Sequence, residues 1–121
     1  MGNFQKLRVW QIAKEIAVKI YKLTDTKSFS KDFGLKDQMQ RASVSIASNI
    51  AEGDELGSDK QSVHHFYIAK GSAAELITQL IIANEIGYIE ETIKRQIVDE
   101  CDKISAMLSK LIAARSMRNN G

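Results

Sequence analysis

At 121 residues the chain fits one compact domain with a single core, and a second domain of ordinary size is excluded. Hydrophobic residues at 44% and charged residues at 26% exclude a disordered or low-complexity chain, and a formal charge of +2 is too small to argue for nucleic acid by itself. Proline is absent and glycines punctuate the chain at Gly34, Gly53, Gly57 and Gly87, so the predicted class is all-α. Cys101 is alone and cannot form an internal disulfide, no positive-then-apolar leader opens the sequence, and no apolar run approaches the roughly 18 residues of a membrane span. A cytoplasmic protein with no membrane partner is expected.

Residues 6–23 read as the first helix, with Val9, Ile12, Ile16, Ile20 and Leu23 on one face and lysines on the other. Trp10, Ala13, Ala17 and Tyr21 widen its apolar sector enough to touch two other helices. A linker follows, in which Phe29 and Phe33 are expected to plug the end of the core, and Gly34 to permit backbone angles that other residues resist. Residues 35–52 form the second helix, the stretch around which the chain is organised. From Gln38 to Ala51 its only charge is Arg41. Met39, Ala42, Ile46 and Ile50 make one stripe, while Val44, Ala47 and Ala51 make a second, well rotated from the first. One stripe suits the core; the other asks for a further cover, either another helix of the chain or a second copy. Gly53 is expected to stop this helix.

Ser58 followed by Gln61 matches a capping box, so a third helix runs over residues 59–86 and ends at Gly87. Between Gln61 and Asn84 only Lys70 and Glu75 are charged. Gly71, which costs about 1 kcal/mol in a helix interior relative to Ala, implies close approach of another backbone. Residues 90–118 repeat the amphipathic pattern with Ile93, Ile97, Cys101, Ile104, Leu108 and Leu111 inward. Glu90 and Glu91 suit the positive end of that helix, Arg115 and Arg118 its negative end. Short connections make an antiparallel up-down-up-down four-helix bundle, a single domain over residues 1–121. In that topology Lys6 and Arg8 approach Lys110, Arg115 and Arg118, and a basic pole results.

Phe4 to Leu7 with Val9-Trp10-Gln11, Gly34-Leu35, Gln38, Arg41-Ala42, Ser45-Ile46, Ser48-Asn49-Ile50-Ala51-Glu52-Gly53, Ile68-Ala69-Lys70-Gly71-Ser72, Glu75-Leu76 and Thr78-Gln79-Leu80 carry a resemblance over nearly the whole chain. They resemble the four-helix bundle family of 23S ribosomal RNA intervening-sequence proteins, which is similar to the accessory variability protein of diversity-generating retroelements. The resemblance implies a homopentamer, and through the retroelement protein a reverse-transcriptase-like partner and RNA or DNA. It does not imply a known activity, since most members have no defined biochemical role. The sequence departs from the family pattern at Gln40-Arg41, where an Arg pair is common, and at Asp54-Glu55-Leu56, where an Arg often stands. Both departures remove positive charge.

Arg41, Ser45, Asn49 and Glu52 fall along one face of the second helix, and Ser72, Glu75 and Gln79 make a polar stripe on the third. They are read as a hydrogen-bonded network that fixes register or a subunit contact, rather than as a ligand site. His64 and His65 are adjacent, hence about 100° apart on a helix and unsuited to one metal. Cys101 faces inward as a small core residue. Some compact α-helical ribonucleases pair an Arg with a His four to six residues later, but no Arg precedes these histidines in their segment. With no phosphate-cradling glycine loop or nucleophile elbow, neither an enzyme nor a cofactor is expected. Two functions remain. In the first, a scaffold holds nucleic acid or a nucleoprotein through Lys6, Arg8, Lys14, Lys110, Arg115 and Arg118; in the second, the protein is an interaction ring without nucleic acid.

Overall fold

A computed structural model describes residues 3–120, with side chains to Arg118. Four helices account for most of it: α1 Arg8–Thr24, α2 Phe33–Glu55, α3 Asp59–Glu85 and α4 Glu91–Asn120, with short 3-10 turns at Phe4–Lys6 and Lys27–Phe29. Cross-helix bonds set their directions. Ser45 pairs with Ser72 and Asn49 with His65, so α2 and α3 run antiparallel. Lys70 with Ser109, and Asp59 with Arg118, give the same sense to α3 and α4. Lys19 meets Glu100, which brings α1 beside α4. The all-α four-helix bundle expected from periodicity is the architecture found.

The core follows the stripes. Val9, Ile12, Ala13, Ile16 and Ile20 of α1, Met39, Ala42, Ile46 and Ile50 of α2, and Ile97, Cys101, Ile104 and Leu108 of α4 are buried together with Phe66, Ala69, Ala73, Leu76 and Leu80 of α3. Burying each large side chain stabilises the bundle by about 1.5–3 kcal/mol before chain entropy is counted. Ser58 Oγ accepts from the Gln61 amide at 3.2 Å, which starts α3. At its other end Gly87 takes φ +88°, and the Tyr88 amide donates back to Ala83 at 2.8 Å. That left-handed residue with its six-to-one bond is a helix C-terminal motif glycine favours.

Several expectations are corrected. The first helix starts at Arg8 because Leu7 is extended, at φ −71° and ψ 127°. The second helix is longer at both ends than 35–52. Asp32 Oδ1 accepts from the Leu35 amide at 3.2 Å and caps it, so Gly34 is helical instead of a loop hinge. Gly53 does not end it either. It is buried inside the helix, where an added Cβ would stand 2.6 Å from Phe66 Cε1, so this glycine serves close packing of α3 on α2. Gly71 shows the reverse: a Cβ there meets nothing within 4 Å. Phe29 is fully buried against Tyr88 as a core plug, whereas Phe33 is 73% exposed.

Candidate functional site

The question left by α2 was what covers its second stripe. Among the described residues nothing covers it fully: Val44 is exposed, and Ala47 and Ala51 only half-buried. Ala17, Val18 and Tyr21 of α1 join Val44 and Ala47 along an apolar groove of about 410 Å³, rimmed by Lys14 and Lys22, with Ser48 at its side. A different apolar face lies on the outside of α3. There Tyr67, Gly71, Ala74, Thr78 and Ile81 are all exposed and recur at alternating spacings of four and three, the period of a helix seam that packs against another helix. Ile82 widens the seam. That repeat stood in the sequence, but only exposure separates it from the buried stripe of Phe66, Ala69, Ala73, Leu76 and Leu80.

Between these faces, α2 and α3 enclose the polar seam. Ser45 and Ser72 hydroxyls meet at 2.8 Å, and Asn49 Nδ2 donates to the Ser45 carbonyl at 2.9 Å. Asn49 Oδ1 thereby turns to His65 Nδ1 at 2.8 Å, and Glu52 Oε2 lies 3.2 Å from the same nitrogen. Two acceptors on Nδ1 make it the proton-bearing nitrogen and leave Nε2 with the lone pair in the neutral ring. Local spacing does not mark His65 as a network member, because its partners Asn49 and Glu52 stand on the other helix; among the described residues no group of three ligating side chains gathers. Arg41 and Glu75, predicted for the network, stand outside it. Arg41 is 80% exposed and pairs with Asp37 at 2.8 Å, four residues back on its own helix. Glu75 is exposed beside a groove of about 400 Å³ lined by Gln38, Arg41, Ser45, Ser72, Glu75 and Gln79. Gln79 is 8% exposed, and its Oε1 has no donor within the described residues.

The basic pole is reshaped. Lys6, Arg8, Lys14 and Lys110 are exposed. Arg115, however, donates to Ser62 Oγ at 2.9 Å, lies 3.7 Å from both Asp54 and Asp59, and stacks over the Phe66 ring at 5.7 Å. Arg118 binds Asp59 through Nε at 3.1 Å and through Nη2. The α2–α3 turn carries these acids to the end of the bundle where α4 finishes, so two of the predicted cations are neutralised by residues more than fifty positions away. Cys101 is buried among apolar side chains, and desolvation, with help from Glu100 and Asp102, pushes its thiol up to about 12. A thiol so held is no nucleophile.

Residues 5–110 match the family described as 23S rRNA-intervening sequence protein. The chain belongs to that family. Its fold matches the crystal structure of a protein of unknown function from the S23 ribosomal protein family of Bacteroides thetaiotaomicron, with a TM-score of 0.79 and 26% identity. The alignment covers 86% of this chain and 97% of that one. No curated protein matches. Membership in the 23S rRNA-intervening sequence protein family therefore agrees with the bundle and with the paired motifs on α2 and α3. No described helix is long and apolar enough to cross a membrane.

Proposed function

We propose that the protein is a non-catalytic scaffold that assembles with copies of itself through two dissimilar faces, the α1–α2 groove and the outer seam of α3. The observation that carries this is the presence of both faces, uncovered and apolar, on one chain. Val18 is 46% and Tyr67 58% exposed, and each belongs to a contiguous low-charge patch rather than standing singly. Two different patches that join head to tail make a ring where the rotation between copies closes and an open filament where it does not, and the proposed assembly is the ring. The family resemblance implies five members. Light scattering at micromolar concentration should return a multiple of the chain mass; the mass of a lone chain would end this reading.

A second reading, a grip on RNA or DNA phosphates, retains Lys6, Arg8 and Lys110, which have no ion partner among the described residues. Repeated around a ring, they form a basic rim whose binding falls steeply with salt. Replacing all three by alanine should abolish any gel shift seen at low salt. No shift of the native protein at low salt removes this reading and leaves the first untouched.

A further inference from the structure

The unpaired groups of the α2–α3 groove include a carboxylate and a buried amide oxygen, both acceptors. Its one cation, Arg41, is already held by Asp37, whereas the Glu75 carboxylate has no cation among the described residues and Gln79 Oε1 has no donor. Farther along α3, Glu85 is exposed and equally unpaired, and Thr78, Ile81 and Ile82 lie between the two carboxylates. The complement of this surface is an apolar strip flanked by two N–H-bearing cations. The chain itself carries one. Lys14 and Lys22 border the α1–α2 groove with Val18 midway between them, and both are exposed without an ion partner among the described residues. Eight residues separate the lysines and ten the carboxylates, about 12 Å and 15 Å along a helix, a difference flexible lysine stems absorb.

Charge also decides how copies pair. Joining two α1–α2 grooves sets lysine against lysine, and joining two α3 seams sets glutamate against glutamate; only groove on seam places opposite signs together. We propose that a second copy of this chain seats its α1–α2 groove on the outer seam of α3, with Lys14 and Lys22 meeting Glu75 and Glu85. One of those lysines enters the α2–α3 groove and donates to both Glu75 and Gln79. This rests on the self-assembly reading and adds the pairing, the register and the residue that completes the groove. Lys14 accordingly leaves the set of nucleic-acid candidates.

Three variants test it by mass in solution, with far-ultraviolet circular dichroism confirming helical folding. Lys14→Glu with Lys22→Glu, and separately Glu75→Lys with Glu85→Lys, should each weaken association on the order of 100-fold and give single chains at micromolar concentration. The chain carrying all four reversals should recover the native mass, because the signs again oppose. If native protein assembles and the paired reversals leave its mass unchanged, or the fourfold reversal fails to restore it, the pairing is overturned while self-assembly stands. A native protein that is itself a single chain overturns both.

Discussion

Gly53 shows how a residue's role is set by a partner distant in sequence. The Phe66 ring is 1% exposed, and a methyl group at Gly53 would meet it at 2.6 to 3.2 Å. Gly53→Ala should therefore lower stability by about 1–3 kcal/mol through overpacking, measured by thermal or urea unfolding. Adding Phe66→Leu should recover part of the loss, since it removes the atoms that collide; a loss unchanged by the second substitution would point to a backbone cause instead. Local signals could not reveal this, because a glycine just before a turn looks the same whether it ends a helix or lets a ring approach. Cys101 is a case where local pattern sufficed: the inward heptad position is where it lies. Its raised thiol makes the folded state bind a proton that the unfolded state releases above about 8.5. Stability from this group is thus full below that value and lost as pH climbs towards about 12. At pH 8 a thiol reagent should leave native Cys101 unmodified over minutes and modify it promptly in denaturant; equal rates in the two conditions would contradict its burial.

Among the elements, the apolar stripes of α1, α2 and α4 were legible because helical period alone places them, and Val9 to Ile20, Met39 to Ile50 and Ile97 to Leu108 are buried as the period requires. The element ends were less legible, since they depend on ties between segments. Asp32 both caps α2 and accepts from the Tyr88 hydroxyl at 3.0 Å, which fastens the α3–α4 turn to the start of α2 and raises the Tyr88 pKa. Tyr88→Phe should lower the melting temperature and expose the Phe29 plug to faster amide exchange around Thr26 and Phe29. At the opposite end of the bundle, Arg115 joins α4 to both α2 and α3 while only 18% of its side chain is exposed. Removing it leaves Asp54 and Asp59, 14% and 19% exposed, without their shared cation. Arg115→Ala should cost on the order of 2–3 kcal/mol of stability, and Arg115→Lys should recover only part because a lysine cannot reach Ser62 and both carboxylates at once. A substitution that changed no melting temperature would return Arg115 to the pool of free surface cations.

At the scale of the molecule, charge read along the chain misplaced the centre of interest. Arg115 and Arg118 have no acidic neighbour in sequence, so a basic pole was expected, but the fold delivers Asp54 and Asp59 to them. What the sequence marked correctly was the shortage of charge on α2 and α3, and the fold turns part of that shortage outward as two separate faces. Dissimilar faces make a prediction that matched ones do not. Val18→Glu buries a carboxylate in the α1–α2 contact, and Ile81→Glu does so in the α3 seam, so each variant alone should remain a single folded chain. Mixed in equal amounts, they retain one intact pair of faces between them: the α3 seam of the Val18 variant and the α1–α2 groove of the Ile81 variant. The mixture should therefore form dimers and stop there, since the two outer faces of that dimer both carry the added charge. A two-fold contact through either face alone would instead let one of the variants dimerise unmixed, and sedimentation of the separate and mixed samples distinguishes the two geometries.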